Sequence, residues 1–196
     1  MTDTALTEEF KDKATLVSAR VYQVNSLEAA FDKAVEICRK KAPLDPQMGP
    51  GTSGENRIMA APNLDDAAFG KLSAACGDAG DISLIRENLR DYPGGIDMGV
   101  SLADYGIAET GTLVLDSRSE ETRLSTMLSE IHVAVLETSK IRETALAMTE
   151  ELTGMVGDPG SYMAFITGAS RTADIERVLA IGAHGPLELH IMLVEE

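Results

Sequence analysis

The stretch Arg57–Ile85, RIMAAPNLDDAAFGKLSAACGDAGDISLI, decides the fold class. It begins with the apolar run Arg57–Ala61, continues with helical spacing at about residues 65–76, and ends with a second apolar run at Ile82–Ile85. Two short apolar runs joined by a helical segment are typical of parallel strands with a helical crossover. The chain is therefore predicted to be α/β, with a mostly parallel sheet flanked by helices.

The same alternation continues towards the C-terminus. Helices are predicted at about residues 139–152 and 172–181, where apolar side chains recur at helical intervals. Further apolar runs of strand length are predicted as strands: Thr112–Asp116, Ile131–Leu136, Tyr162–Thr167 and Glu188–Val194.

Helical spacing also predicts two helices near the start of the chain. The first covers Thr7–Ala19, and the second begins after Ser26, which stands where an N-cap belongs, and ends at the basic residues 39–41. A stretch rich in Pro and Gly follows. We therefore expect three parts: an N-terminal helical segment at 1–45, a flexible linker or loop at 46–56, and an α/β domain at 57–196.

The Gly-rich string at residues 49–54 matches the G-x-G-x-x-G pattern of dinucleotide-binding folds. That pattern works where a strand delivers the glycines to a helix N-terminus, so that backbone amides hold a pyrophosphate. Here a Pro-rich stretch precedes the string and no helical pattern follows it at once. Dinucleotide binding is therefore not expected at this loop.

Composition excludes several classes of function. With 17 basic and 32 acidic residues among 196, the net charge is −15, which disfavours nucleic acid and anionic membrane surfaces as partners. The sequence has no apolar run of about 18 residues and no signal-peptide pattern, so we expect no membrane span and a cytoplasmic location. Cys38 and Cys76 lie far apart, and the histidines lack metal-ligand spacing, so we expect reduced structural thiols, no metal site and no cofactor bound by this chain itself.

The segment Thr167–Glu176 is the first candidate binding segment. It is predicted as a strand end, a turn and a helix start, an arrangement that favours an anion at exposed amides. Arg171 would add a bidentate contact to a carboxylate or phosphate, while Gly168, Ser170 and Thr172 would complete the site. The alternative is that Ser170 or Thr172 only caps the helix and Arg171 is solvated or paired with Asp174.

A second candidate segment precedes and enters the strand at 112–116. Small residues are interleaved there with the polar side chains Asp104, Thr110 and Thr112, and Gly111 allows close backbone approach, which suits a small polar ligand. Glu109 is a candidate base or nucleophile, against the alternative of an ordinary exposed carboxylate.

Histidines add one further candidate. His184 lies in the compact turn at 182–186 and is a candidate proton carrier near neutral pH. If the helix at 172–181 separates that turn from residues 168–172, the turn lies on the opposite rim and His184 acts mainly through stability. His132 and His190 interrupt apolar runs, so they are expected to be packed or surface residues rather than ligands.

Three blocks of this sequence, Gly106–Leu115, Ser170–Glu176 and Gly182–Pro186, resemble the LUD-domain family, in particular its lactate utilisation protein C members. The resemblance covers about residues 55–196. It implies a fold related to ribose-phosphate isomerases and CoA transferases. It also implies a role in an operon-encoded system that oxidises lactate to pyruvate, with two partners of iron–sulfur and flavin-type redox character.

Two functions follow as hypotheses. In the first, the chain is a subunit of a lactate utilisation system, acts with iron–sulfur protein partners and binds a small carboxylate or another anion. In the second, it is an enzyme of the isomerase or CoA-transferase type, with Glu109 as nucleophile or base and His184 as proton carrier. The first is favoured because analogy of fold alone does not establish a reaction.

Overall fold

The computed structural model describes residues 2–42, 56–92, 95–157, 160–173, 179–181 and 185–195, with backbone only at 171–173 and 179–181. Its helices are α1 Asp3–Leu16, α2 Leu27–Lys40, α3 Asp66–Ala79, α4 Glu120–Leu128 and α5 Thr149–Val156. Its strands are β1 Ala19–Val24, β2 Arg57–Ala60, β3 Ile82–Ile85, β4 Ile96–Leu102, β5 Tyr105–Ile107, β6 Thr112–Asp116, β7 Ser129–Glu137, β8 Ile141–Arg142, β9 Met163–Ile166, β10 Arg171–Ala173, β11 Leu179–Ile181 and β12 Glu188–Val194.

Six strands form a central sheet in the order β1-β12-β7-β4-β2-β3, and every neighbouring pair is parallel. The β2–α3–β3 unit has the predicted strand–helix–strand order, and β3, β6 and β12 have the predicted bounds. The α/β class with a mostly parallel sheet flanked by helices is therefore confirmed.

Helices α2 and α3 cover one face of the central sheet, which we call the α2/α3 face. Ser26 caps α2 as predicted, because its hydroxyl accepts a hydrogen bond from Ala29 N at 3.1 Å. Phe31 of α2 and Leu72 of α3 are buried there against sheet residues such as Met59 and Met98. This face is a conventional helix-on-sheet core.

The opposite face carries α1, α4 and a second sheet, and we call it the second-sheet face. Phe10 and Ala14 of α1 pack with Leu136, Leu189 and Ile191 of the central sheet. The second sheet has the order β8-β5-β6-β9, in which β6 is antiparallel to both β5 and β9. Each face of the central sheet is thus covered by a different kind of layer.

Two glycine turns of the second sheet receive the C-terminal end of α1. Gly111 has a φ of +63°, and a Cβ there would lie 2.2 Å from Ala14 N. Gly168 has a φ of +75°, and a Cβ there would lie 2.2 Å from Val17 O. Only glycine combines this backbone conformation with such close approach, so both residues have a packing role.

The predicted helix at 172–181 is wrong. Arg171–Ala173 and Leu179–Ile181 form the antiparallel pair β10–β11. Leu179, Ala180 and Ile181 fit a strand period as well as a helical one, and in so short a run pairing decides between them. Within the described residues, the expected helix N-terminus at Arg171 is therefore absent.

Other predictions also differ from the structure. The helix predicted at 139–152 is replaced by short 3-10 turns at Thr138–Lys140 and Leu146–Met148, strand β8 and α5. The N-terminal segment predicted as helical also contains β1, which pairs with β12 at the edge of the central sheet. The predicted linker, apart from Asn56, and the Gly-rich string lie outside the described residues. The boundaries of the predicted three-part division fall in the same stretch, and that division stays a prediction.

Candidate functional site

A cavity of about 210 Å³ opens on the second-sheet face, and we call it the His132 cavity. It lies between α4, β9 and the amino-terminal halves of β7 and β12. Polar side chains from four segments line it: Ser117, Arg123, Thr126, His132 and Ser170. The remaining wall is largely apolar and includes Met127, Tyr162, Ile166 and Leu189. A small pocket with a few converging polar groups is the usual form of a ligand site.

His132 stands on the central sheet beneath this cavity. Its neighbours Ile131 and Val133 point to the α2/α3 face, so strand alternation directs His132 to the cavity face. The side chain is 1% exposed, and Nε2 lies 2.8 Å from Ser101 Oγ. Burial lowers the pKa of His132 to about 4, so the imidazole is neutral at neutral pH.

Arg123 supplies the cation of the cavity. One of its Nη atoms donates to the backbone oxygens of Ser117 at 2.6 Å and Arg118 at 2.8 Å, which fixes the plane of the guanidinium group. The same group lies 5.5 Å from the ring centroid of Tyr162. A half-buried guanidinium held in one orientation is suited to binding a carboxylate.

The hydroxyl-bearing residues are also held in place by hydrogen bonds. Ser117 donates from its backbone N and from Oγ to Tyr162 O, at 2.8 and 3.2 Å. Ser170 N donates to Pro186 O at 3.0 Å. These bonds connect the segment before α4 and the segment before β12 to the two ends of β9, so the cavity wall is continuous.

Sequence reasoning identified only part of this cavity. Gly168 and Ser170, two of the predicted binding residues, follow β9 and line the His132 cavity. Arg123 was missed because α4 was not predicted, and His132 was expected only to be packed. Arg123, Thr126 and Met127 stand at i, i+3 and i+4, a helical spacing that would have placed them on one face.

Three threonine hydroxyls lie in a chain: those of Thr110 and Thr112, which are predicted site residues, and that of Thr167, which begins the other candidate segment. Thr112 Oγ1 lies 2.7 Å from Thr110 Oγ1 and 2.7 Å from Thr167 Oγ1. Thr167 belongs to a groove that continues from the cavity along Gly168 and Ser170. The structure thus joins Thr110 and Thr112 to the end of β9.

Glu109 lies elsewhere. Its side chain is exposed at the β5–β6 turn, and its backbone N donates to Glu143 O at 3.0 Å. It does not line the His132 cavity. The backbones of Arg171 and Thr172 belong to β10, and their side chains lie outside the described part of the structure, as does His184.

The expected opposite-rim position of the 182–186 turn is wrong for its described residues. Pro186 O accepts the hydrogen bond from Ser170 N, and a Cβ on Gly185 would lie 3.2 Å from Ser170 Cβ. The reason is the β10–β11 pair, which returns the chain to its starting point where a helix would have carried it away.

A second cavity, of about 290 Å³, lies where β1, β12, β7 and β4 end. Ligands of open α/β sheets commonly bind at such an edge. Its charged lining is mixed, with Glu195 and with Lys140 3.0 Å from Glu137. Asp104 stands near this edge, accepts a hydrogen bond from Asp116 N at 2.6 Å, and has its pKa raised by burial.

The described ranges contain neither a metal-ligand cluster nor a membrane-spanning helix. No group of three or more His, Cys, Asp or Glu side chains there is arranged to hold a metal ion. None of the described helices combines the length and apolar character needed to cross a membrane.

Comparisons with known proteins define the class and then the family. The fold matches the crystal structure of a DUF162 family protein from Deinococcus radiodurans, with a TM-score of 0.63 over 99% of both chains at 17% identity. The class is therefore an α/β protein with that fold. The LUD domain model matches residues 7–194, and the chain belongs to the LUD-domain family. The match includes most of α1 and all of β1 and α2, whereas the resemblance seen in the sequence began at about residue 55.

Two relatives with curated sequences are similar over part of the chain. Lactate utilization protein C of Geobacillus kaustophilus is 35% identical over 117 residues, which are 58% of this chain and 48% of that protein. An uncharacterized protein of Neisseria meningitidis is 42% identical over 100 residues, which are 50% of this chain and 42% of that protein. The matched region thus spans about half the length of these relatives or somewhat less.

Proposed function

We propose that this chain is a subunit of a lactate utilisation system and binds a small carboxylate in the His132 cavity. Membership of the LUD-domain family and similarity to relatives named lactate utilization protein C support the role. Redox partners of the iron–sulfur type belong to the same proposal, because the resemblance to the LUD-domain family implies them.

The observation that carries the proposal is the placement of Arg123. The chain has a net charge of −15, yet among the described residues the charged side chain that lines this cavity is a cation with a fixed orientation. A carboxylate would bind the guanidinium group through charge-assisted hydrogen bonds. The apolar wall at Ile166 and Leu189 suits a short alkyl group, and neutral His132 would serve as a hydrogen-bond partner for a hydroxyl or keto oxygen.

Calorimetric titration with lactate and with pyruvate tests the binding step. We expect wild-type protein to bind at least one of them and Arg123→Gln to weaken binding about tenfold or more, because a charge-assisted bond is lost. Arg90→Gln is the matched control, since Arg90 is an exposed arginine, pairs with Glu120 and does not line the cavity. The absence of binding by wild type, or equal loss in both variants, would refute the carboxylate site.

Growth on lactate tests the role in the cell. In a strain lacking this chain, wild type and Arg90→Gln should restore growth, whereas Arg123→Gln should not. Wild-type protein isolated from these cells should carry an iron–sulfur protein with it. Growth that does not depend on the chain would contradict the lactate role even if the cavity binds a carboxylate.

The enzyme hypothesis has one specific observation in its favour. Glu109 and Thr110 are exposed at the tip of a turn whose flanking residues Ala108 and Gly111 are buried. Hydrogen bonds from Glu109 N to Glu143 O and from Gly111 N to Ala108 O, at 3.0 and 3.3 Å, hold that turn. A carboxylate presented in this way is suited to attack an acyl-CoA thioester, forming an acyl anhydride and releasing the CoA thiolate.

Covalent trapping tests that alternative. After incubation with acyl-CoA and treatment with hydroxylamine, mass spectrometry should find modified Glu109 in wild type and none in Glu109→Gln. Glu143→Gln is the control, because Glu143 is an exposed neighbour of the same turn. Unmodified Glu109 in wild type would reject the CoA-transferase form of the hypothesis.

A further inference from the structure

Strand β9 forms an edge of the second sheet. Among the described residues, no strand pairs with its outer side. Ser117 N donates to Tyr162 O at 2.8 Å, and the register continues with Leu115 opposite Ala164. Because hydrogen-bonded and non-bonded pairs alternate in an antiparallel ladder, Met163 and Phe165 direct their backbone N–H and C=O groups away from β6. This edge therefore offers hydrogen bonds to another strand.

The edge is short, at four residues, but it carries no charge and no bulge that would prevent pairing. Residues 159–170 carry no charge and form the longest uncharged run in a sequence that is 25% charged. Exposed strand edges usually carry lysine, a bulge or an inward-pointing charge that prevents pairing. Here Phe165 is 50% exposed and Tyr162 57% exposed, and Met127, 60% exposed, lines a groove together with Phe165.

We propose that β9 pairs with β9 of a second copy of this chain, antiparallel across a two-fold axis. Such an axis places Met163 of each copy opposite Phe165 of the other, so that the outward backbone groups of both copies are satisfied together. The two four-stranded sheets then form one continuous eight-stranded sheet. Strand pairing of this length buries little area, so Phe165, Tyr162 and Met127 supply the apolar contact that a stable interface needs.

Net charge opposes the association of two copies in general, so the uncharged edge is where a second copy meets the least opposition, and the association has a signature. Two chains of net charge −15 repel each other, and an uncharged strand lets them approach with the least local repulsion. Salt screens that repulsion, so self-association strengthens as ionic strength rises. A strand from an oppositely charged protein would bind with the reverse salt dependence.

The pairing has a consequence for the His132 cavity. Tyr162, Ala164 and Ile166 of β9 line that cavity, so a β9–β9 dimer brings two cavities to neighbouring positions. The dimer itself does not depend on what the cavity binds, and a protein that binds no carboxylate would still associate.

Analytical ultracentrifugation of the full chain tests the proposal at about 0.05 M and about 0.5 M salt. We expect a wild-type dimer whose dissociation constant falls at the higher salt. Phe165→Lys should raise the dissociation constant about tenfold or more. The matched control is Leu146→Lys, because Leu146 is 86% exposed and lies outside β9. Each variant changes the net charge from −15 to −14, so general repulsion falls equally in both.

Several outcomes would overturn the dimer. They are a monomeric wild type at both salt concentrations, a Phe165→Lys dimer as tight as wild type, and an equal loss in Leu146→Lys. If circular dichroism shows that Phe165→Lys does not fold, Phe165→Ser removes the ring without adding charge and must weaken the dimer. Association that needs Phe165 but binds a different protein, and weakens with salt, would reject the second copy as the occupant.

Discussion

The two faces of the central sheet are built by different means. The α2/α3 face is closed by apolar side chains from two regular helices, such as Phe31 and Leu72. The second-sheet face is closed by a helix seated on two glycine turns, at Gly111 and Gly168, and it retains the His132 cavity. The first arrangement tolerates small adjustments of shape, whereas the second depends on close backbone contacts. The candidate site lies on the face where those contacts are found.

Two buried histidines show the same difference. Each is 1% exposed, and they stand on neighbouring strands with their rings on opposite faces. His190, on the α2/α3 face, pairs with the carboxylate of Glu188 at 2.8 Å and stacks on Tyr22. His132 instead pairs with the neutral hydroxyl of Ser101 and faces a cavity. Of these two histidines, only His190 therefore has a neighbouring carboxylate that favours its protonated form.

The largest expected effect is a difference in stability between alanine substitutions at glycines on the two faces. Gly111→Ala should lower the free energy of unfolding by about 3 kcal/mol or more, because a Cβ would meet Ala14 backbone at a positive φ. Gly70→Ala, in the exposed part of α3, has nothing within 4 Å of its Cβ and should stabilise the protein by about 0.5–1 kcal/mol. Urea unfolding measures both.

The essential result of that experiment is that the two substitutions change the free energy of unfolding in opposite directions. If Gly111→Ala is as mild as an ordinary surface substitution, α1 is not seated on this turn as described. In that case the close contact would not be what distinguishes the second-sheet face.

The central sheet was largely predictable because its strands are continuous apolar runs. Ile82–Ile85 and Glu188–Val194 needed no knowledge of their partners. Strand β4 was missed because Asp97 and Ser101 interrupt its apolar pattern. Their partners, Lys41 with Ile58 N for Asp97 and His132 for Ser101, lie 31 to 56 residues away, so nothing local indicates that they are buried and satisfied.

The candidate site was less predictable for the same reason. Gly168 and Ser170 follow a recognisable strand. Arg123 and His132 lie on α4 and β7, and nothing in the sequence around β9 indicates that these elements reach the same cavity. The predicted helix after Arg171 failed because strand pairing between β10 and β11 outweighed the helical spacing. Sequence patterns thus located one wall of the site, and long-range contacts determined the others.

The pH dependence of stability is expected to differ between the two histidines. A pKa lowered from 6.5 to about 4 means that the unfolded state takes up a proton more readily than the native state. The protein is therefore fully stabilised above pH 6.5 and loses stability as the pH falls towards 4. For His132 this loss amounts to about 3 kcal/mol over that range.

Urea unfolding between pH 7 and pH 5 measures this contribution as a difference between variants. His132→Gln keeps a donor and an acceptor for Ser101 but does not titrate, so its stability should decline less steeply than that of wild type. His190→Gln should change the slope less, because Glu188 partly offsets the effect of burial on the pKa of His190. Equal slopes in wild type and His132→Gln would show that His132 is not buried in a neutral site.

The smallest expected effect concerns the thiols of the α2/α3 face. Burial raises the pKa of Cys38 to about 12 and that of Cys76 to about 11, so native protein at pH 8 contains almost no thiolate at either position. A thiol reagent should therefore label neither residue quickly, although both should react at once in urea. Both thiols stand in the last turn of their helices, so fraying exposes either one, and Cys76 should react first because it is 3% exposed against 0% for Cys38. Single-cysteine variants with alanine at the other position assign the two rates, and their unfolding midpoints confirm that the variants are folded. Labelling of Cys38 before Cys76 would mean that α2 opens more readily than α3, and fast native labelling of either thiol would mean that this face is not the tightly packed one.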